Sequence, residues 1–244
     1  MDLKKDAYGQ EVLAYLNKEN SYEIVERDDG FIDFSSGAPS YFAELKDWPK
    51  THKKAIKYAR GKILDIGAGA GRVALYLQSK CFDVTAIDNS PLAIQVCKKR
   101  GVKNAKVISI DKIEKLKPKK FDTIVMFGNN FGLFEGFKKA KILLKKMYKL
   151  TSENAIIIAE SNDPYKTNNK NHLDYQKFNR KRGRMSGQLK IRVRFKKYIG
   201  EWFDYLLVSQ KEMKDIVKNT GWKIIKTINS DKSSYIAIIG KDKK

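Results

Sequence analysis

The chain has 244 residues, with 50 Lys and Arg against 28 Asp and Glu and a formal charge of +22. That length can bury a substantial core, as one large domain or two small ones. It holds no apolar run near the roughly 20 residues a membrane span needs, and its start, MDLKKDAYGQ, lacks a signal-type hydrophobic region, so a cytoplasmic protein without a membrane partner is expected. Two cysteines, Cys81 and Cys97, and two histidines, His52 and His172, are too few and too scattered for a tetrahedral zinc set or a disulfide framework, so no metal is expected.

In chain order, EVLAYLNK reads as part of a helix, and YEIVERDDGFIDF as a hairpin turning at Asp28 to Gly30. Two short helical patches follow, around SYFAELKDW and KTHKKAIKYA. From Gly61 strands and helices alternate, the pattern of a parallel sheet covered on both faces, with strands near 62–66, 83–87, 106–110, 121–127 and 154–160. Ser90 can cap the second helix, Pro91 suits its first position and Gly101 can end it. Leu92, Ala93, Val96 and Cys97 share one face of that helix, so Cys97 reads as packed rather than reactive.

The polar and basic segment Asn162 to Gly200 interrupts this rhythm. Within it QLKIRVRFK alternates strictly, with Leu189, Ile191, Val193 and Phe195 on one face and Lys190, Arg192, Arg194 and Lys196 on the other. EWFDYLLV can return beside it. After a helix at about 210–220, WKIIKTI and SSYIAIIG are joined by a turn too short for a parallel crossover, which makes the last pairing antiparallel.

The stretch ILDIGAGAGR places glycines at 67, 69 and 71 directly after the first strand of the alternating region. A dinucleotide fingerprint wants its third glycine where Arg72 stands, and a P-loop wants a GK[ST] ending that is missing. Asp65, just before the loop, suits a cationic ligand better than a phosphate. S-adenosylmethionine, with an ammonium, a sulfonium and no phosphate, fits that sign.

These motifs together resemble the class I S-adenosylmethionine-dependent methyltransferases: ILDIGAGAGR as the glycine motif, VTAIDNSP with an acid ending the second strand, ISID ending the third and FDTIVMFGNN on the fourth. YFAELKDW and RGRMSGQLKIRVR resemble a narrower, poorly characterised group of the same family. The resemblance implies an α/β fold, a Rossmann-like seven-stranded sheet, mostly parallel with an antiparallel last strand, helices lying on both faces. It implies a methyltransferase domain over 61–244, with a basic substrate-lid insertion at 162–208, preceded by an N-terminal helical and hairpin cap over 1–60.

It further implies that Gly67, Ala68 and Gly69 lie against the cofactor and that Asp65 meets its methionine ammonium. Asp88, with Asn89 beside it, would take the ribose hydroxyls and Asp111 the adenine amino group. Phe127, Gly128 and Asn129 would lie along the methionyl part. Asp111 and Glu114 also make a D-x-x-E helix start, so capping is the competing reading of Asp111. Arg72 is read as covering the helix start.

Methyl transfer from a sulfonium is an in-line displacement in which the cofactor carries the hard chemistry, so no metal is needed and a base only if the nucleophile arrives protonated. The residues expected to face the acceptor are Asn130, Glu160, Asp163, Tyr165 and His172, at or beyond the ends of the fourth and fifth strands, together with Arg192 and Arg194 in the insertion. Five of the nine arginines fall between Arg180 and Arg194, and guanidinium forks match carboxylates and phosphates. A charge-protected edge strand is the competing account of that stripe. The function expected is methyl transfer to a nucleophilic O or N of a small molecule, an acidic one included. RNA or protein is the alternative acceptor, and a non-enzymatic S-adenosylmethionine-binding protein the second alternative. The fourth strand ends in GNNFG rather than an NPPY-like sequence, which lowers amino methylation of nucleic acid.

Overall fold

The computed structural model describes residues 2–35, 37–117 and 120–242. The chain runs α1 (Ala7–Leu16), β1 (Glu23–Arg27), β2 (Ile32–Ser35), α2 (Ala38–Phe42), α3 (Lys50–Ala55), β3 (Ile63–Ile66), α4 (Arg72–Ser79), β4 (Val84–Asp88), α5 (Pro91–Lys99) and β5 (Ala105–Val107). It continues through β6 (Phe121–Met126), α6 (Phe137–Leu150), β7 (Thr151–Asn162), α7 (Lys170–Lys181), β8 (Gln188–Phe195), β9 (Tyr198–Ile199), β10 (Phe203–Leu206), α8 (Gln210–Val217), β11 (Trp222–Asn229) and β12 (Ser234–Lys241). The larger sheet has seven strands in the order β11-β12-β7-β6-β3-β4-β5. A second sheet has the order β10-β8-β1-β2, with β9 on β8.

The chain divides into two compact units, of which the first comprises residues 1–48, 63–110 and 190–203. In it β3 and β4 run parallel, Asp65 opposite Ala86, and β4 and β5 run parallel, Ile87 opposite Lys106. All residues of β3 and β4 are buried, which is why both read as near-continuous apolar runs rather than alternating ones. Ser90 caps α5, its hydroxyl accepting the Ala93 N–H at 2.9 Å, Pro91 opens the helix, and Cys97 is wholly buried. The DDG turn makes the expected hairpin of β1 and β2, and β8 adds antiparallel to β1 with Arg192 opposite Glu26 and Arg194 opposite Ile24. Val12 of α1 packs with Ala70 and Val96, flanked by Tyr8, Tyr41 and Phe42.

β5 is shorter than the sequence suggests. It ends at Val107, and the chain then makes a 3-10 turn over Ile110–Lys115, so Asp111 lies beyond the strand rather than at its tip. β5 is the edge of the sheet, with a ladder on one side only, and little holds it extended beyond the last bond, from Ile108 N–H to Asp88 O at 2.9 Å.

The second unit comprises residues 49–62, 111–189 and 204–244. Here β6 and β7 run parallel, while β12 is antiparallel to both β7 and β11, so the reversed strand is the last in the chain. Six consecutive residues of β12, Tyr235 to Gly240, are buried. On α6 the residues Ala140, Leu143, Leu144, Met147 and Leu150 form the buried stripe, and Trp222 donates its indole N–H to Leu144 O at 2.9 Å. The polar interruption holds a helix, α7, whose buried residues Tyr175, Gln176 and Asn179 include two amides, too few apolar positions to register as a helical period.

Candidate functional site

In the first unit the loop after β3 is folded back onto β4 by its own backbone. The N–H groups of Gly67 and Ala68 both donate to Ile87 O, at 2.9 and 3.0 Å, and the Gly69 N–H donates to the Asp88 carboxylate at 3.0 Å. Gly69 has φ +55°, and a Cβ there would run into the Tyr8 hydroxyl, so both its conformation and its surroundings call for glycine. Gly71, at φ +81°, starts α4 with Arg72 as the first helical residue, whose guanidinium lies 5.1 Å from the centre of the Trp48 ring.

Two carboxylates flank this loop. Asp65 is 2% exposed and its Oδ2 has no hydrogen-bond partner among the described residues. Burial pushes its carboxyl up to about 7; Arg72 pulls it down, Asp88 adds to the rise, and the Ala74 N–H opposes it. Asp88 accepts the Gly69 N–H on one oxygen and the Ser90 N–H on the other, each at 3.0 Å. Burial raises its carboxyl as well, with Asp6 adding to the rise, against the pull of the Ser90, Gly69 and Asn89 backbone N–H groups. A carboxylate has about four lone-pair sites, so Asp88 still keeps acceptor capacity for a hydroxyl. A buried carboxyl with one unpartnered oxygen beside glycine backbone, with a second carboxyl on the adjacent strand end, fits a ligand that carries an ammonium and a diol. Ala68 is buried and Asn89 exposed beside them.

In the second unit the chain leaves β6 through Phe127 into a tight turn. Gly128 and Asn129 are both left-handed, at φ +68° and +61°, and their N–H groups converge on one atom, Glu160 Oε2, at 2.6 and 3.3 Å. His52, from α3, meets the same oxygen through Nε2 at 2.9 Å, and its ring stacks on Phe127 at 4.4 Å and 24°. The Tyr205 hydroxyl donates to Asn129 O at 2.7 Å and lies 3.3 Å from Gly128 O. The turn is thus held by its N–H groups through Glu160 and by its carbonyls through Tyr205. Asn129 Oδ1 is buried without a partner. Burial alone would raise the Glu160 carboxyl, but His52 and the two backbone N–H groups outweigh it and hold it below the usual carboxylate range.

The other residues expected near an acceptor are scattered in role. Asn130 opens the 3-10 turn Asn130–Phe134. Asp163 accepts the Tyr165 N–H at 3.0 Å, an Asx turn, while the exposed Tyr165 donates its hydroxyl to Glu212 at 2.8 Å. His172 is half-buried in the first turn of α7. Asp111 is ion-paired with Lys139 at 2.8 Å. Sequence reading missed His52, set in KTHKK among lysines, and Tyr205; neither has a linear signal linking it to the turn. Among the described residues no group of three or more His, Cys, Asp or Glu is placed to hold a metal, and no helix is long and apolar enough to cross a membrane.

Residues 63–154 match the model of the family described as Methyltransferase domain. No curated protein matches the sequence. The structure is similar to the crystal structure of an S-adenosylmethionine-dependent methyltransferase from Bacteroides fragilis in complex with S-adenosyl-L-homocysteine. The identity is 26% and the TM-score 0.83, over 99% of this chain and 97% of that one. This chain carries the methyltransferase domain and the fold of the class I S-adenosylmethionine-dependent methyltransferases. The fold is also that of a methyltransferase structure from Methanosarcina mazei, at 19% identity and TM-score 0.62 over 82% of this chain and 99% of that one. It is shared as well with the 1,6-didemethyltoxoflavin N1-methyltransferase of Burkholderia thailandensis, at 12% identity and TM-score 0.51 over 79% and 75%.

The arginines that stood out in the methyltransferase's sequence have partners inside it. Arg192 forms a two-pronged pair with Glu26, Nε and Nη2 each at 2.9 Å, and its guanidinium lies 4.5 Å from the centre of the Trp202 ring. Arg194 reaches the same carboxylate at 3.3 Å. Arg180 donates to the Ser186 hydroxyl at 2.9 Å, Arg182 to Asn179 Oδ1 at 2.6 Å, and Arg184 to Asp204 at 2.7 Å.

Proposed function

We propose that this methyltransferase acts on a nucleophilic O or N of a small molecule, with the cofactor residues distributed as the family resemblance implies. The observation that carries the cofactor reading is the unpartnered Asp65 oxygen beside the glycine loop: a buried carboxylate oxygen without a hydrogen-bond donor is costly, and an ammonium brought by a ligand relieves that cost. S-adenosylmethionine, when bound, supplies a sulfonium-activated methyl group.

The chain's own residues then bind and orient. Asp65 receives the ammonium, Gly67 to Gly69 let the backbone approach closely, and Asp88 accepts from the ribose hydroxyls. Asp111 is the residue proposed toward adenine, with its Lys139 pair exchanging or stretching to admit it. The turn Phe127 to Asn129 lines the methionyl part, and its fixed shape supports an in-line approach. Holding reactants in such geometry contributes up to roughly 7 to 11 kcal/mol.

A small acceptor is favoured over RNA because the clustered arginines are engaged with Glu26, Asp204, Ser186 and Asn179 rather than presented as a row of open forks. That engagement also weakens the case for an acidic acceptor. The test is transfer of labelled methyl from S-adenosylmethionine into fractionated small molecules, RNA and protein of the source cells. Label in the small-molecule fraction is expected; label confined to RNA or protein would overturn the acceptor class. Calorimetric binding of NAD in place of S-adenosylhomocysteine would overturn the cofactor.

A further inference from the structure

Glu160 is built asymmetrically. Its Oε2 takes three donors, from His52, Gly128 and Asn129. Its Oε1 takes none among the described residues, and it is not sealed from solvent, since it does not join the fully buried unpartnered atoms. A carboxylate needed only to tie the turn would be satisfied with either oxygen turned into the protein; here one oxygen anchors the group and the other is left over.

Its place in the fold gives the spare oxygen a purpose. Glu160 stands near the carboxyl end of β7, beside the turn that leaves β6, and in open α/β sheets ligands bind outside the carboxyl ends of the strands. The three donors on Oε2 keep the group ionised, and the flanking aromatic surface, Phe127 with the His52 ring stacked on it, gives it a partly apolar setting. An ionised oxygen there accepts hydrogen bonds only, and it favours cations over anions by charge.

We infer that Glu160 is an acceptor-binding residue of this methyltransferase, tethered through Oε2 and presenting Oε1 to an N–H of a cationic, amine-type methyl acceptor. The inference rests on the proposed function and narrows its substrate class. An amine held by Oε1 is oriented rather than deprotonated, because a carboxylate in this state is a weak base; an acceptor bound as an ammonium gives a proton to solvent first, since only the free amine has the lone pair that takes the methyl group from the sulfonium, whose positive charge passes to the methylated nitrogen.

The discriminating variant is Glu160→Gln. Its amide oxygen can replace Oε2 toward His52 and the turn, which turns the amide NH2 outward, so that a donor faces the acceptor where an anion did. The probes are benzylamine and benzoate, followed by saturation-transfer NMR with and without S-adenosylhomocysteine, alongside calorimetry of S-adenosylhomocysteine itself. Wild type is expected to bind benzylamine saturably and benzoate not at all. Glu160→Gln should keep its melting temperature and S-adenosylhomocysteine affinity while losing benzylamine affinity roughly 10- to 100-fold, the worth of a hydrogen bond to a charged group. No saturable benzylamine binding, equal binding by the variant, or preference for benzoate would overturn the inference. Failure of the wild type to bind S-adenosylhomocysteine would strike the cofactor reading instead, and the benzylamine comparison would still judge Glu160. Glu160→Ala, which also frees the turn, should lose both ligands, separating the anchoring oxygen from the presenting one.

Discussion

The Asp65 carboxyl sits at about 7 because burial disfavours its charge, with Arg72 opposing and Asp88 assisting. On the proposed contact, a ligand ammonium binds the ionised form, and cofactor affinity is expected to follow the ionised fraction. With that pKa the fraction is roughly 0.1 at pH 6 and roughly 0.75 at pH 7.5, so apparent affinity for S-adenosylhomocysteine should rise roughly eightfold across the window, with close to one proton released per ligand at pH 6. Calorimetry in two buffers of different ionisation enthalpy reads both quantities. Glu11 is also pushed up to about 7, by burial and then by Glu23, so wild-type data alone would not assign the effect. Asp65→Asn does: it keeps the shape, loses the charge, and should flatten the profile while weakening binding by roughly 10- to 100-fold at pH 7.5. The sign for folding is the reverse. The native carboxyl lies above its unfolded value, so its contribution to stability is present below about pH 4 and is lost as pH rises through about 7, by a few kcal/mol in the ligand-free protein. A flat wild-type profile between pH 6 and 7.5, or an Asp65→Asn variant that keeps the slope, would refute the assignment of Asp65 to the ammonium.

Gly71→Ala should lower stability by about 2 to 4 kcal/mol, because φ +81° disfavours any Cβ and the new methyl would sit 2.7 Å from Val102 Cγ2 and 3.1 Å from Cys97 Sγ; a melting temperature lowered by roughly 5 to 15 °C is the expected reading, and an unchanged one would mean the loop relaxes freely. Arg192→Ala releases Glu26 and should cost only a degree or two of melting temperature, since the pair is partly exposed. Labelling of the acceptor should keep a shallow salt dependence in both proteins. A steep slope, near −0.7 to −0.9 per phosphate, that falls in the variant would restore a nucleic-acid acceptor.

What the sequence made legible was governed by local rules. β3 and β4 could be placed because strands covered on both faces are written as apolar runs, and α5 because Ser90, Pro91 and the left-handed Gly101 punctuate it within twelve residues. The alternation of QLKIRVRF gave β8 its two faces, but its principal partner, β1, lies more than 160 positions away and carries no complementary motif; only the register, Glu26 across from Arg192, explains the stripe. Sequence distance also hid His52, which meets Glu160 across 108 positions. Glu160 itself was readable as an acid at the end of the apolar run AIIIAE, but which of its oxygens is engaged is a property of geometry alone.

That contrast bears on how charge should be read in this protein. A net +22 with clustered arginines suggests an anionic partner, yet the guanidinium groups of Arg192 and Arg194 converge on one carboxylate, and a charge already matched at 2.9 Å has little left to offer a ligand. More informative are the strand carboxyl groups that folding leaves with an unmatched atom, although the buried Nε of Arg184, in the loop after α7, also lacks a partner among the described residues. Asp65 Oδ2 and Glu160 Oε1 are both carboxyl oxygens without a hydrogen-bond partner among the described residues, and both belong to strands of the larger sheet, one in each compact unit. Their sign is opposite to the sign of the composition. A protein whose surface excess is positive and whose unmatched strand oxygens are negative is suited to ligands that carry positive charge, and its excess lysine tells more about its solvated surface than about what it binds.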